Sequence, residues 1–465
     1  MWATSLHSFG AVGNGIADDT KAVQAAVNAC AGGTVDFPPG NYLVSGIVLA
    51  ANCTYAGTAG RSTVTLSSPN TFIFDISQSA QIHITGLTLN GNNLGGIVIA
   101  QGYAPAQNIL IDYCEFRDVS GSAVFPANLA IVSTWGMINA TIQNNRFGNV
   151  AGGIWFTTIE NVSILNNSFT DITEGDAVYI APNPAGFQNG DNLKIVGNTG
   201  VNLARIAIEL FGPDPSNGGI LNAPVIENNS FSNWTGAGGM GLSITCGDGA
   251  VIAGNRLVNV TGQIQTTGIE VIVTGAQVTN NIIAGGFAEG IAVVGTSNNV
   301  IANNRVVDAS DNGIILACDN SRNRCTSTNT TVTGNTVINA QNVGIKLDNN
   351  WSSSLIARNT VTRTAGYWPQ DNTTWFAGIH QSPAPGSGTI DSNNIIQDAI
   401  SWPSGFWFGG VRLNSSMPGS SVTNNLIRSL TNVPFGSGIL DNTGNATQGW
   451  IITGNDNINT YHPVN

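Results

Sequence analysis

Short runs of alternating apolar and polar residues recur along the chain, such as Val162-Ser163-Ile164-Leu165 and Val251-Ile252-Ala253. Helices repeat their apolar positions every three to four residues; a period of two belongs to a strand with one face buried. A polar unit punctuates the runs, apolar-x-Asn/Gly-Asn-x-apolar. Its second Asn falls at Asn145, Asn167, Asn198, Asn229, Asn255, Asn281, Asn304, Asn335, Asn359, Asn394, Asn425 and Asn455. Two weaker units precede these, around Leu87 and Cys114. Strands this short, returning every two to three dozen residues, predict a β-solenoid with one coil per repeat and a spacing of about 4.8 Å between stacked strands. The repeated Asn then has a structural role. At the same turn of each coil it tolerates left-handed backbone and can bond its copy in the next coil.

A second column follows each Asn unit and reads small-aliphatic-x, from Gly153-Ile154-Trp155 through Gly268-Ile269-Glu270 to Gly438-Ile439-Leu440. The aliphatic residue packs inward, so the next side chain faces out. In coil order the outward residues are Trp155, Tyr179, Glu209, Ser243, Glu270, Ala292, Ile315, Lys346, His380, Arg412 and Leu440. The N-terminus differs. Phe9-Gly10-Ala11-Val12-Gly13-Asn14-Gly15 leads to Asp18-Asp19-Thr20 and an amphipathic helix from Lys21 to Cys30, with Asp18 or Asp19 placed to cap it. Such a helix would cover the open end of a solenoid. No equivalent cap is evident after Trp450.

Composition narrows the class. With 465 residues, 42% of them hydrophobic and 9% charged, the chain can fill a large core. Its 57 glycines and low charge would also suit a disordered chain, but the regularly spaced Ile, Val, Leu and Phe exclude that. A formal charge of −12 argues against nucleic acid, which needs clustered Lys and Arg, and against anionic membrane surfaces. No apolar run approaches the roughly 18 residues of a membrane span. No leader precedes the structured start, which reads as a mature secreted chain. The six cysteines form no C-x-x-C pattern, so no structural zinc and no cofactor are expected. Cys318 and Cys325 are spaced to close a short loop, and Cys30 to tie the helix end to the strand near Cys53. Six scattered core cysteines would read the same way.

The opening segment, Phe9-Gly10-Ala11-Val12-Gly13-Asn14-Gly15 with Asp18-Asp19-Thr20 and then Phe37-Pro38-Pro39-Gly40-x-Tyr42, resembles that of the pectate-lyase-like superfamily. The resemblance implies an all-β, right-handed single-stranded parallel β-helix with an N-terminal capping helix, here of about 12–14 coils. It also implies one domain over residues 1–465, with the cap helix and first coils in 1–60. That superfamily includes polygalacturonase-type hydrolases, polysaccharide lyases, uronate epimerases and phage tailspikes. By resemblance Asp18 and Asp19 are structural. The hydrolase elements Asn-Thr-Asp, paired Asp, Gly-His-Gly and Arg-Ile-Lys are not found in order, and the epimerase Asp-Pro-His is absent. The resemblance therefore implies a fold and a carbohydrate-polymer substrate, not a reaction.

The outward column is where chemistry is expected. Glu209 and Glu270 lie two coils apart, about 9.6 Å at the rung spacing. Flexible side chains bring that within the roughly 6.5–9.5 Å that separates acid and base in inverting glycosidases. These two are the leading acid and base of a secreted, inverting, endo-acting glycoside hydrolase without a metal. Asp214, Asp248, Glu289 or Asp311 on nearby loops could replace one partner, and Asp176, just before Tyr179, is a further candidate. Lys346, His380 and Arg412 stack on consecutive coils, with Asp348 nearby. They would hold acidic or hydroxyl substituents of the sugar, or in a lyase abstract a proton and neutralise a uronate. Trp155 and Tyr179 at one end, and Tyr367, Trp368, Trp375, Trp402, Phe406, Trp407 and Phe408 in two long insertions, offer faces on which sugar rings stack. For each group there is a bland alternative: solvated glutamates, cations paired locally and aromatics packed on the barrel. A non-catalytic binding or adhesin solenoid would explain the ladder without chemistry.

Overall fold

The computed structural model describes residues 3–464 except 78, 103, 122, 183–188, 213–219, 319–324, 349, 365–374, 383–386, 399–406, 416, 430–434, 442–448 and 459. The chain divides into two compact units, Met1–Gly236 and Ala237–Asn465. Each is a parallel β-helix of right-handed coils whose short strands stack into three sheets.

In the first unit one coil runs Ala106–Asp112, Glu115–Val119 and Leu129–Ser133. The next repeats it as Met137–Gln143, Arg146–Val150 and Gly152–Phe156. Register is strict because alternation leaves no freedom: a slip of one residue would turn every inward side chain to water. Phe116, Phe147 and Phe169 are consecutive register partners. Their rings stack inside the coils with centroids 4.8 and 4.7 Å apart. In the second unit Ile252, Val278, Ile301, Val332, Ile356, Ile390 and Val422 form one inward column through seven rungs, all fully buried.

The Asn column is a buried ladder. Asn145 Nδ2 donates to Asn167 Oδ1 at 3.0 Å, and Asn167 and Asn198 repeat the bond to the next rung. In the second unit it runs from Asn255 through Asn281, Asn304, Asn335, Asn359, Asn393 and Asn425 to Asn455. The two tasks assigned to one Asn are divided between neighbours. The left-handed residue is the first of each pair, for example Asn144, Asn166, Asn280 and Asn303 with φ of 54–57°, and the ladder residue is the second. At one rung the expected residue is displaced: Ser392 takes the left-handed position (φ 54°), so Asn393 rather than Asn394 enters the ladder. The Asn units undercount the rungs, because the early strands Thr34–Phe37, Cys53–Gly57 and Ala80–Thr85 stack in the same sheet without them.

The expected helix is Thr20–Asn28, burying Val23, Ala26 and Val27. Gln24 fixes it to the neighbouring strand, its side chain accepting from Val48 N and donating to Val48 O, both at 2.9 Å. Asp19 occupies the N-cap position without a side-chain cap bond. Its carboxylate instead accepts from Val12 N (2.7 Å) and Gly13 N (3.0 Å), holding the preceding loop, while Asp18 accepts from Thr20 N at 2.9 Å. Both anticipated disulfides are present, Cys30–Cys53 and Cys318–Cys325; Cys114 and Cys246 are buried.

Candidate functional site

The small-aliphatic-x column is the third sheet of each unit. The first residue is small for a steric reason: a Cβ on Gly344 would stand 2.6 Å from the carbonyl oxygen of Gly378 on the next rung. In the first unit Trp155, Tyr179 and Glu209 are consecutive register partners. In the second, Ser243, Glu270, Ala292, Ile315, Lys346, His380 and Arg412 follow one another in the same way.

In the first unit the rungs build a cleft of about 360 Å³ lined by Phe125, Trp155, Asp176, Tyr179, Arg205, Glu209 and Phe211, among others. One wall is aromatic. Trp155 stacks on Tyr179 with centroids 5.5 Å apart and planes 6° from parallel, and Tyr179 on Phe211 at 6.2 Å. Phe125 meets Trp155 edge-on at 5.4 Å. Beside it the same column turns ionic. Arg205 bridges two carboxylates, with Nη1 donating to Asp176 Oδ2 at 3.0 Å and Nη2 to Glu209 Oε2 at 2.9 Å. The second Asp176 oxygen accepts from Ile206 N at 3.0 Å. The carboxylate side chains are 4% and 6% exposed, whereas Arg205 is 49% exposed. Burial pushes the Asp176 carboxyl up to about 8, the charge of Glu209 and a hydrogen bond with it adding to the effect, while Arg205 and the Ile206 amide oppose it. Burial thus favours the neutral form of the Asp176 carboxyl beside a second carboxyl group, the direction a general acid needs.

The candidates are thus regrouped. Asp176, Glu209, Trp155 and Tyr179 come together in one cleft. Glu209 and Glu270 belong to different units. Glu270 Oε2 accepts from Ser243 Oγ at 2.7 Å. Asp248 lies exposed at an isolated β-bridge, where Oδ1 accepts from Thr274 N at 3.1 Å. Arg205, Phe125 and Phe211 were missed. Arg205, four residues before Glu209 on a chain with only 15 Lys and Arg, was the available signal. Phe211 shares strand parity with Glu209, but nothing in the sequence points to Phe125.

The second unit has its own acid pair. Glu289 lies on the strand Phe287–Val294 rather than in a loop, and Asp311 immediately before Asn312–Ala317. Asn312 Nδ2 donates to Glu289 Oε1 at 3.0 Å, and Asn342 Nδ2 to Asp311 Oδ1 at 2.9 Å. Burial and then the charge of Asp311 raise Glu289 to about 7, against Asn312 and Lys346. Lys346 pairs with Asp348 at 3.3 Å. His380 Nε2 lies 2.9 Å from the side-chain nitrogen of Asn414. Burial lowers the imidazole to about 4, helped by Arg412 and Lys346 and opposed by Asp348. Trp375 and Trp407 are register partners on adjacent strands. Asp214, Tyr367, Trp368, Trp402 and Phe406 lie outside the described residues.

Residues 216–384 match the family described as right handed beta helix region. The chain is 29% identical over 189 residues to plasmin and fibronectin-binding protein A of Streptococcus pneumoniae, covering 38% of this chain and 22% of that protein. It is also 29% identical over 150 residues to mannuronan C5-epimerase AlgE6 of Azotobacter vinelandii, covering 26% of this chain and 17% of that one. The chain thus spans about a fifth of the length of these curated relatives. Among solved structures, PfbA, a surface adhesin of Streptococcus pneumoniae, superposes with a TM-score of 0.50 at 16% identity, covering 90% of this chain and 92% of that one. The chain has the right-handed parallel β-helix fold.

Proposed function

We propose that this chain is a secreted carbohydrate-active β-helix protein that hydrolyses glycosidic bonds in a polysaccharide at the Asp176–Arg205–Glu209 cleft. What carries this function is a buried carboxyl whose hold on a proton is raised, lying with a second carboxyl and a stacked aromatic pair in one cleft. Sugar rings have apolar faces that pack on indole and phenol rings, so Trp155 and Tyr179 would seat a saccharide across the cleft. Asp176 would protonate the leaving glycosidic oxygen as the bond breaks, and Glu209 would stabilise the positive charge that develops on the sugar. Water would then add to that carbon and return a proton to Asp176. Arg205 holds both carboxyl groups in place.

The two carboxyl groups bond the same guanidinium. Glu270, the partner expected for Glu209 in an inverting pair, lies in the second unit, where its Oε2 accepts from Ser243 Oγ at 2.7 Å.

A second reading is favoured by exposure: Arg205 is half open while both carboxylates are buried. In a purely binding solenoid the carboxylates would orient Arg205 to donate to sugar hydroxyls, with no chemistry. The names of the relatives, an adhesin and a uronate-polymer epimerase, leave room for either.

Incubation of the full chain with a panel of polysaccharides separates these. A hydrolase releases reducing ends without new ultraviolet absorbance, and a lyase generates an absorbing unsaturated uronate. A binding module retains polymer and yields neither. Asp176→Asn and Glu209→Gln should each lower hydrolysis at least 100-fold, the usual scale for a lost general acid. Retention of hydrolysis by both variants would end the proposal.

A further inference from the structure

The first unit has a second concavity, larger than the Asp176 cleft at about 480 Å³. That lies within the roughly 300–1,000 Å³ usual for ligand sites. It sits at the corner between the first and second sheets, and none of its described lining residues belongs to the third sheet, which carries the cleft. Thr88, Glu115, Arg146 and Ser168 line it as one column of register partners, at steps of about 4.8 Å. Exposed Ala59 and Gly60 add a rim.

Tyr113, on the same corner, is out of place by the rules of the coil. The neighbouring rungs turn left-handed at the equivalent position through Gly86, Asn144 and Asn166, with φ of 67°, 56° and 54°. Tyr113 takes the same conformation, φ 51°, in which a bulky residue is an outlier. Packing does not offset this. The ring is 61% exposed and, among the described residues, makes no hydrogen bond and no aromatic contact. Strain held without structural gain points to a function for the ring.

The charges beside it are also left open. Glu115 and Arg146 are register partners on adjacent strands, where opposite charges ordinarily pair. Among the described residues the exposed Arg146 guanidinium nevertheless forms no ion pair and no hydrogen bond. The Glu115 carboxylate accepts only from Thr88 Oγ1, at 3.3 Å. An acceptor and a donor thus stand side by side, next to an aromatic face, with no net charge. Two adjacent sugar hydroxyls match this, one donating to the carboxylate and the other accepting from the guanidinium. An anionic ligand would meet Glu115, and an apolar one would cover both charges without bonding them.

We propose that this corner is a second saccharide-binding site of the first unit, for a neutral sugar chain whose ring packs on Tyr113 and whose hydroxyls bridge Glu115 and Arg146. It rests on the reading that this chain handles polysaccharide, but not on hydrolysis, and uses no residue of the Asp176 cleft.

Affinity electrophoresis of the full chain through gels holding a neutral glucan, a neutral galactan or a polyuronate tests it. The Trp155→Ala, Asp176→Asn double variant is the background, so that neither cleavage nor the aromatic wall of the cleft contributes. At least one neutral polymer should retard this protein, and added salt should change the retardation by less than about twofold. Tyr113→Asn installs the residue of the next two rungs, removing the ring while suiting the backbone. It and Arg146→Gln should each weaken retention about tenfold or more. In the wild-type background Tyr113→Asn should unfold at no lower urea concentration than the parent. Retardation by the polyuronate alone, none by any polymer, or full retention in either variant would overturn the proposal. So would a fall in the urea midpoint of Tyr113→Asn, which would make the ring structural. Hydrolysis untouched by the Asp176 and Glu209 variants, with retention at this corner intact, would end the hydrolase reading and leave this one standing.

Discussion

Replacing Arg205 by Met keeps an unbranched apolar stem and removes the cation between two buried carboxyl groups. Its two bonds, 3.0 Å to Asp176 and 2.9 Å to Glu209, are charge-assisted and worth about 1.5–3 kcal/mol each. The guanidinium is 49% exposed, and solvent screening reduces the pair to about 2 kcal/mol in total. That loss should depend on pH. In the folded wild type Asp176 sits at about 8 against an ordinary 3.8, so between those values the folded chain holds a proton the unfolded chain has released. Wild-type stability therefore falls as pH climbs from about 4 to about 8, and is level on either side. Without Arg205 the Asp176 carboxyl holds its proton more tightly still, by about 1.5 pH units at about 1.4 kcal/mol per unit. Below pH 8 both folded chains keep that proton, so the deficit of Arg205→Met from this source should be near zero there; it should open between about pH 8 and 9.5 and reach about 2 kcal/mol above that range. Urea unfolding at about pH 6 and about pH 10 measures it. A deficit of the same size at both would refute the ionic account of the cleft.

Trp155→Ala should weaken saccharide binding about tenfold through loss of the stacked face, measured by calorimetry on an inactive Asp176→Asn background; unchanged affinity would remove the aromatic wall from the site. His380, lowered to about 4 from 6.5, stays neutral in the folded chain while the unfolded chain takes up a proton, so its contribution is lost as pH falls from about 6.5 towards 4. His380→Gln should flatten that part of the stability profile, and an unaltered slope would count against a buried neutral imidazole. Asn335→Ala removes the acceptor of Asn304 N (2.9 Å) and Asn304 Nδ2 (3.0 Å) and the donor to Ile301 O (2.8 Å), all buried. It should cost about 3 kcal/mol or more in urea unfolding, since each orphaned group costs about 1–3 kcal/mol. The exposed ladder residue Asn329, bonded to Asn298 at 2.9 Å and left-handed at φ 51°, should cost about 1 kcal/mol or less when replaced by Gly, which keeps that backbone. Similar losses for the two would deny the buried ladder its structural role.

The column of outward residues was legible because strand alternation is local: Trp155, Tyr179 and Glu209 needed only the parity of their own strands and the recurrence of a small residue before them. The ladder was legible for the same reason. Its details were not, because Asn393 and Asn394 are equally plausible in sequence, and only the left-handed turn at Ser392 chooses between them. Glu209 was paired with Glu270 by counting coils. Within the first unit Glu209 is bonded by Arg205, which also holds Asp176 on the preceding rung, both three to four residues outside the column that was counted.

By itself the sequence determined the coil, the inward and outward faces and the rungs on which acids, cations and aromatics fall, since these follow from a period of two repeated along the chain. Tertiary structure alone decided which of those groups meet and which keep a proton. Contact between rungs depends on turns of unequal length, and the charge state of Asp176 depends on how much water its neighbours exclude; neither quantity is carried by any residue on its own.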